Sequence, residues 1–261
     1  MRKVWWLTLW VKILTVGNAS TGFWNHRQRR KKLMELETSD VVLIVDVKAN
    51  PEQIGLLGLG LKTEPVILWA KELTRKLVSI FPDDLNSRKI VVPGKGGRIV
   101  VEFLRGSGLT IEAFHEVSTT RQITKKRPEV LAAGRPSVFR RDRVVILEDV
   151  VSSGETIAQI CTGWRTSNPI EVFVWVSSQT GFERLTKLGF VLSCSCLVSG
   201  IGKEYPPIRS LSTLVKGLKQ SSGKETDSLR VFLKKYVEDE SFFLGTLRDI
   251  GYNRTEGDEE N

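Results

Sequence analysis

The sequence contains few of the residues that form disulfide frameworks and histidine-rich metal sites. Its 261 residues include three cysteines and two histidines, His26 and His115. Cys194 and Cys196 stand two apart, which places both thiols on one face of a strand, and no second cysteine or histidine pair is there to complete a metal site. We therefore predict that these two and Cys161 are buried, reduced thiols of a protein that works in the reducing cytoplasm.

The sequence also lacks an apolar run of the roughly 18 residues that a membrane span requires. Its first twenty residues, MRKVWWLTLWVKILTVGNAS, have the outline of a signal peptide, but Lys12 interrupts the apolar run and residues 26–32 are strongly basic. Apolar side chains alternate through that run as on one face of a strand, at Trp5, Leu7, Leu9, Val11 and Ile13. We therefore expect a cytoplasmic protein with a strand near residues 4–16.

Positive charge is what the sequence has in excess. The formal net charge is +9 at pH 7 and the isoelectric point is about 9.5. This balance favours anionic partners, which include nucleic acid, an acidic membrane surface and a phosphorylated small molecule, and charge alone does not choose among them. A content of 41% hydrophobic and 26% charged residues is typical of a globular chain with a sizeable core.

Helix and strand patterns alternate from residue 65 onward. Residues 65–80 open with proline and repeat apolar side chains at helical spacing, which predicts one helix over the whole stretch. The segment KIVVPGKGG (89–97) predicts a buried strand that enters a glycine loop. It is followed by a predicted short helix, RIVVEFLRG (98–106), and a predicted second strand, LTIEAFHEV (109–117).

Two later segments, residues 144–147 and 170–176, are apolar on both faces, as strands inside a parallel sheet are. Together with the preceding units they predict a doubly wound α/β fold with a mainly parallel sheet. Ligands of such folds bind at the carboxyl ends of the strands.

The stretch after the strand at 144–147 combines acids with a phosphate-binding type of turn. Glu148 and Asp149 are expected at the strand end, at the rim where a ligand binds. The next residues form a turn into a helix that offers N–H groups, hydroxyls and a flexible glycine to an anion: Ser152, Ser153, Gly154, Glu155 and Thr156. Acids beside a phosphate cradle suit a sugar phosphate, whose vicinal hydroxyls bind the carboxylates.

Residues 144–156, VVILEDVVSSGET, resemble the phosphoribosyl-pyrophosphate (PRPP) signature of type I phosphoribosyltransferases at all thirteen positions. The resemblance implies the fold of that family, with a small hood built from flanking segments. It also implies that Glu148 and Asp149 are catalytic, because they bind the ribose hydroxyls and favour positive charge at the anomeric carbon. Residues 152–156 then hold the 5-phosphate, and the cofactor is Mg²⁺, carried by the diphosphate without a direct protein ligand.

The same resemblance implies a pyrophosphate-binding loop after the first core strand. Gly94, Lys95, Gly96 and Gly97 lie in the matching place. Glycine N–H groups and a lysine charge suit a leaving group that departs as an anion. The letters PGKGG are equally typical of a hairpin turn.

A mobile loop that closes over the reaction and excludes water is the third element that the family implies. Residues 118–141 lie in its place, and we predict that they are mobile in the free protein and ordered by PRPP with magnesium. Their candidate phosphate contacts are Arg121, Lys125, Lys126 and Arg127. Such a run of cations is also typical of an ordinary solvated surface.

The acceptor base is less well specified. The residues Glu148-Asp149-Val150 are similar to orotate phosphoribosyltransferases, and LGLGLKTEP (57–65) is similar to the segment by which those enzymes approach the pyrimidine, which makes Lys62 a candidate base contact. The lysine-lysine-histidine-glycine pattern of their mobile loop is missing. Ser152 replaces the acid usual in 6-oxopurine enzymes, which disfavours hypoxanthine and guanine. Tyr205 is a candidate for stacking on the base, within a segment that also fits a surface loop.

The resemblance covers residues 65–200, which defines a predicted phosphoribosyltransferase-like core. Residues 1–64 form a predicted N-terminal segment with possible hood strands, including one near residues 41–48. Residues 201–261 form a predicted C-terminal hood loop and helices with an acidic tail. A helical stripe in that part is predicted to be core: Leu229, Phe232, Leu233 and Tyr236.

Two functions remain open from the sequence. The first is an enzyme, expected as a homodimer, that transfers ribose 5-phosphate from PRPP to a nitrogenous base, for which a pyrimidine such as orotate is a candidate, and releases pyrophosphate. The second is a non-catalytic regulator that senses PRPP and binds nucleic acid through the basic residues of segment 27–32. The lack of a clear helix-turn-helix weakens the second, and the lack of a recognisable base pocket weakens the first.

Overall fold

The computed structural model describes residues 33–123, 128–133, 142–162, 164, 167–201, 207–220 and 227–252. Its strands are β1 (Met34–Glu37), β2 (Val42–Val45), β3 (Val66–Trp69), β4 (Lys89–Pro93), β5 (His115–Ile123), β6 (Pro128–Ala133), β7 (Val144–Val151), β8 (Glu171–Ser178), β9 (Val191–Ser199) and β10 (Ile208–Ser210). Its helices are α1 (Pro51–Leu59), α2 (Ala70–Val78), α3 (Gly94–Gly106), α4 (Glu155–Ile160), α5 (Gln179–Lys187), α6 (Leu211–Gln220), α7 (Asp227–Tyr236) and α8 (Glu240–Tyr252).

The larger sheet of the described residues has seven strands in the order β1-β9-β8-β7-β4-β5-β6. Neighbouring strands are parallel except β5 and β6, which are antiparallel. Helices α2 and α3 pack on one face of this sheet, and α4 and α5 pack on the other. The doubly wound, mainly parallel α/β fold predicted from the sequence is therefore present.

The central strand β7 shows why its sequence is apolar on both faces. Val145 and Leu147 lie in the core beneath α2 and α3, whereas Val144 and Ile146 lie in the core beneath α4 and α5. All four are buried. A strand covered by helices on both sides has no solvent face, so period-two alternation of polar residues disappears.

A second, smaller sheet of the described residues has the parallel order β10-β2-β3. Val42 and Ile44 of β2 face the core of the larger sheet, and Leu43 and Val45 face a separate core formed with α1, α6, α7 and α8. The helical stripe predicted as core lies there: Leu229, Phe232 and Leu233 are buried and Tyr236 packs against them. Segments from both ends of the chain thus build this layer, and its role as a hood stays a prediction.

Strand β1 belongs to the larger sheet and not to this layer, although it comes from the predicted N-terminal segment. It pairs with β9 at the edge of the larger sheet, with Met34 opposite Cys196. The strand expected near residues 4–16 and the basic stretch 26–32 lie outside the described residues. No helix in the described ranges combines the length and apolarity needed to cross a membrane.

The helix predicted over residues 65–80 is wrong at its start, before residue 70. Residues 66–69 form β3, and α2 begins at Ala70. Val66 and Trp69 are three apart and therefore also fit a helical face, so the pattern alone does not distinguish the two. Four consecutive large apolar residues suit a strand that is packed on both faces, and pairing with β2 decides the outcome.

Residues 118–141 contain regular structure where the sequence predicts a loop. Strand β5 continues to Ile123 and pairs with β6, with Ser118 opposite Ala133 and Ile123 opposite Pro128. The strand predicted at 109–117 accordingly begins later, at His115. Val117, Thr119 and Thr120 of β5 are residues that favour strands, even though their polar and charged neighbours hide the alternation of apolar and polar side chains. Residues 124–127, with Lys125, Lys126 and Arg127, and residues 134–141 lie outside the described ranges, and their mobility stays a prediction.

The three cysteines are buried, as predicted. Cys194 and Cys196 lie in β9, and Cys161 follows α4. Burial raises the pKa of each thiol to about 12, which keeps the thiols protonated at neutral pH. Among the described residues, no group of three or more histidine, cysteine, aspartate or glutamate side chains is placed to hold a metal ion.

Candidate functional site

A cavity of about 360 Å³ lies at the carboxyl ends of β4 and β7. Three parts of the chain line it: the start of α3, the end of β7 with the turn into α4, and the β10–α6 segment with one residue of α7. The lining residues are Pro93, Gly94, Lys95, Gly96, Glu148, Asp149, Val150, Val151, Ser152, Ser153, Gly154, Glu155, Thr156, Ile157, Ile208, Arg209, Ser210, Thr213, Leu214, Lys216 and Leu229. Most of the site residues predicted from the sequence therefore meet in one place.

The turn from β7 into α4 forms one end of the cavity. Gly154 has a φ of 70°, a left-handed conformation that glycine adopts without strain. A Cβ at this position would also stand 2.9 Å from Cγ of Leu185 on α5. Ser152 and Ser153 are exposed beside it, so their hydroxyls and the N–H groups of the turn are placed to bind an anion.

Glu155 belongs to the predicted phosphate-binding turn, and its side chain is directed away from the cavity. Its carboxylate forms an ion pair with Arg184 of α5 and accepts a hydrogen bond from Nε2 of Gln159 at 2.8 Å. These contacts direct the negative charge toward α5. The backbone N–H is the group of Glu155 with the right charge for a phosphate.

Glu148 and Asp149 lie inside β7, which runs to Val151, and not at the exposed strand end that the sequence suggests. They are 9% and 8% exposed. The N–H of Asp149 donates to Oε1 of Glu148 at 3.2 Å, and the N–H of Val150 donates to Oδ1 of Asp149 at 2.8 Å. Two carboxylates are thus held in fixed orientations at the cavity wall.

The glycine run predicted as a loop is the first turn of α3. Gly94 has a φ of 56°, and Pro93 at the N-cap provides no side-chain hydrogen bond to the helix. The first N–H groups of a helix have no partner within it and carry partial positive charge. Lys95 adds a cation in the same turn, so this end of the cavity also suits an anion.

Gly96 lets the two carboxylates approach this turn. A Cβ there would overlap carboxylate oxygens of both Glu148 and Asp149 and would stand 2.7 Å from Cγ of Asp149. The acids therefore lie directly over the start of α3. That position offsets part of the cost of burying two charges, because the helix start is positive.

Gly97, predicted to bind pyrophosphate, does not line the cavity. Its Cα faces β7, and a Cβ there would overlap the carbonyl oxygen of Leu147 and stand 3.0 Å from Cβ of Val92. This glycine is needed for the close packing of α3 on β4 and β7. A pyrophosphate contact by its backbone stays a prediction.

The β10–α6 segment contributes residues that the sequence analysis did not identify. The hydroxyl of Ser210 donates to Oδ2 of Asp149 at 3.1 Å and lies 2.6 Å from Oγ1 of Thr213. Arg209 and Lys216 line the same wall. Hydroxylated residues before an apolar helical pattern are a helix-start signal in the sequence, but only the pairing of β10 with β2 brings them to the acids.

Lys62 is not brought to the cavity. Its ammonium donates to the carbonyl oxygens of Lys234 at 3.3 Å and Lys235 at 3.0 Å, at the end of α7. A cation is favourable there because the last carbonyls of a helix carry partial negative charge. The structure gives Lys62 a helix-capping contact, and its contact with a base stays a prediction. Tyr205 lies outside the described residues, as does the side chain of Arg121.

No family model matches this sequence, and no curated protein matches it. Solved structures with similar folds include a purine phosphoribosyltransferase from Pyrococcus horikoshii Ot3, with 12% identity and a TM-score of 0.37 over 53% of this chain and 87% of that one. An adenine phosphoribosyltransferase from Thermoanaerobacter pseudethanolicus has 15% identity and a TM-score of 0.35 over 49% and 78%. An orotate phosphoribosyltransferase from Aeropyrum pernix has 16% identity and a TM-score of 0.29 over 48% and 68%. All three are phosphoribosyltransferases, the family that the signature at residues 144–156 resembles.

Proposed function

We propose that the protein transfers ribose 5-phosphate from PRPP to a nitrogenous base and releases pyrophosphate. One observation carries this proposal. A single cavity brings together the turn at 152–156, a pair of fixed carboxylates and the start of α3 with Lys95. PRPP has the matching order of groups, with a phosphate at one end, vicinal hydroxyls in the middle and a diphosphate at the other end.

The reaction needs these groups in distinct roles. The turn binds the 5-phosphate, and Glu148 and Asp149 accept hydrogen bonds from the ribose hydroxyls. When the bond between the anomeric carbon and the diphosphate breaks, its electron pair leaves with the diphosphate oxygen. The start of α3 and Lys95 stabilise that negative charge, while the two carboxylates stabilise the positive charge on the ribose. The lone pair of a ring nitrogen of the base then forms the new bond, and the proton of that nitrogen is released to solvent.

Magnesium fits this site as an ion carried by the diphosphate. Mg²⁺ is commonly bound through substrate phosphates, and Glu148 and Asp149 place two negative charges beside the proposed diphosphate position. When bound, the ion would neutralise charge on the diphosphate and make it a better leaving group. The protein residues that would face it are these two acids.

The acceptor is proposed to enter beside the β10–α6 wall, because the turn and α3 occupy the other two sides. Arg209 and Lys216 line this wall, and Ser210 and Thr213 add hydroxyls. A pyrimidine with an acidic group, such as orotate, suits cationic and hydroxyl neighbours and is the first acceptor to test.

Pyrophosphate release gives the direct test. The protein, PRPP and magnesium are incubated with a panel of pyrimidine and purine bases, and PRPP affinity is measured separately by calorimetry. We expect PRPP binding and base-dependent pyrophosphate release with at least one acidic pyrimidine. Binding without release on any base would favour the PRPP-sensing regulator, and no binding at all would contradict both functions.

Ser178 provides a prediction about the phosphate-binding turn. This buried side chain accepts a hydrogen bond from the N–H of Gly181 at 3.0 Å and donates one to the carbonyl oxygen of Ser152. Ser178→Ala leaves both groups without that partner, which costs about 1–3 kcal/mol of folding free energy. Because the turn also loses its support, we expect PRPP affinity to fall about tenfold.

A matched control separates the two effects. Ser195 is also buried in the sheet and donates to the carbonyl oxygen of Leu73 at 2.7 Å, on the α2 side. Ser195→Ala should reduce the free energy of unfolding to a similar extent in denaturant titrations without changing PRPP affinity. Equal PRPP affinities of the two variants would contradict a role of Ser178 in holding the turn.

A further inference from the structure

Asp46 is a buried acid outside the cavity lining. It follows β2 and is 5% exposed. Both of its carboxylate oxygens accept hydrogen bonds from Ser212, the second residue of α6: the N–H donates to Oδ1 at 2.9 Å, and the hydroxyl donates to Oδ2. An acid at a helix start is favourable because the N–H groups there carry partial positive charge. Asp46 therefore fixes the start of α6 to the end of β2.

The residue two positions before Ser212 contacts the proposed active site. Ser210 is the last residue of β10, pairs with Ile44 of β2 and donates its hydroxyl to Oδ2 of Asp149 at 3.1 Å. Oδ1 of Asp149 accepts from the N–H of Val150 at 2.8 Å. With one hydrogen bond on each oxygen, the plane of the Asp149 carboxylate is fixed by one contact from its own strand and one from β10.

The two acids also interact electrostatically. Burial, the largest cause, raises the pKa of Asp46 to about 6, although the hydrogen bonds from Ser212 lower it, and the negative charge of Asp149 raises it further. Burying the charged carboxylate of Asp46 beside Asp149 costs folding free energy. A requirement of the site for a fixed β10–α6 turn would explain why this acid is buried there.

We propose that Asp46 is a positioning residue of the PRPP site, which holds the start of α6 so that Ser210 orients the carboxylate of Asp149. This inference rests on the proposed function, because it assigns Asp149 to the ribose hydroxyls of PRPP. Asp46 acts through Ser212 and Ser210 and does not line the cavity. The hydrogen bond from Ser210 to Asp149 thereby links β10 of the small sheet to β7 of the larger sheet.

A double-mutant cycle tests this coupling. Titration calorimetry with PRPP and magnesium, well below the melting temperature, compares Asp46→Ala, Ser210→Ala and the double variant with the parent. Each single variant should bind PRPP about tenfold more weakly, as expected for one lost hydrogen bond to a charged group. The double variant should be no weaker than either single variant, because both changes release the same carboxylate.

Asp46→Asn provides the rescue. Its amide oxygen still accepts from the N–H of Ser212, and its amide group can donate to the Ser212 hydroxyl, so PRPP affinity should stay within about twofold of the parent. The variant also removes a buried charge, so its melting temperature should be equal or higher. If Asp46→Ala does not fold, Ser212→Ala keeps the inference testable, because it removes the hydroxyl that donates to Asp46 and should weaken PRPP binding without adding to the loss in Ser210→Ala.

Three outcomes overturn the inference in different ways. If the parent binds PRPP and folded Asp46→Ala binds it equally well, Asp46 has only a structural role. If the two single losses multiply to about a hundredfold, Asp46 affects the site independently of Ser210. If the parent does not bind PRPP, the proposed function fails as well. A merely structural Asp46 would lower the melting temperature without changing PRPP affinity.

Discussion

The double variant Glu148→Gln, Asp149→Asn is expected to bind PRPP at least about a hundredfold more weakly than the parent and to lose turnover. Each carboxylate is proposed to accept a hydrogen bond from a ribose hydroxyl, and hydrogen bonds to charged groups contribute about 1.5–3 kcal/mol each. The neutral amides also cannot stabilise positive charge on the ribose. Calorimetry with PRPP and magnesium measures the first effect, and pyrophosphate release measures the second.

The fold should survive this change. Both acids are buried over the start of α3, so replacing them with amides of the same shape removes two desolvated charges without creating a cavity. Glu102→Gln is the matched control. Glu102 lies on α3, its side chain is 60% exposed, and its carboxylate is 3.9 Å from the guanidinium of Arg98, so the change also replaces an acid by an amide but does so on the surface. Undiminished PRPP affinity in the double variant would show that the signature at 144–156 does not bind the ribose of PRPP.

Local sequence could predict those parts of the site whose chemical groups come from residues adjacent in the chain. Residues 144–156 contain a doubly buried strand, two acids and a glycine turn, and each feature has a physical signature within a few positions. The same holds for Gly94 to Gly96, which reach the cavity as predicted even though they begin a helix. In both segments, the residues that approach the ligand are neighbours in the chain.

The parts that could not be predicted depend on long-range pairing. Ser210 reaches Asp149 only because β10 pairs with β2, and Asp46 reaches Ser212 across 166 positions of the chain. Ser178 supports the turn from the next strand of the sheet, 26 positions away. Lys62 is the opposite case: despite a local likeness to a base-binding segment, its ammonium contacts the end of α7 instead of the cavity wall.

Substitutions of the glycines of α3 should have the second large effect. At Gly97 alanine should lower folding stability, and at the adjacent Gly96 it should lower PRPP affinity. At Gly97 a methyl group would overlap the backbone carbonyl of Leu147, which cannot move without distorting β7. Gly97→Ala should therefore cost about 3 kcal/mol of folding free energy or more, at the upper end for overpacked cores. We expect a strong fall in the yield of folded protein and in the midpoint of denaturant unfolding.

At Gly96 a methyl group would meet carboxylate atoms of Glu148 and Asp149 instead of backbone. A carboxylate can shift more easily than backbone, but Asp149 would lose its hydrogen bonds from Val150 and Ser210, so Gly96→Ala should cost about 1–3 kcal/mol of folding free energy, no more than Gly97→Ala. The displaced carboxylates would no longer match the ribose hydroxyls. PRPP affinity should accordingly fall about tenfold or more in a protein that remains folded.

Gly106 at the end of the same helix completes the comparison. Nothing lies within 4 Å of a Cβ at this position, so Gly106→Ala should leave PRPP affinity unchanged and add up to about 1 kcal/mol of stability through helix propensity. Denaturant titration measures the free energy of unfolding of the three variants, and calorimetry measures their PRPP affinity separately. If Gly96→Ala bound PRPP as well as Gly106→Ala does, the close approach of the acids to the start of α3 would have no part in binding, and the proposed diphosphate position would have to move away from this turn.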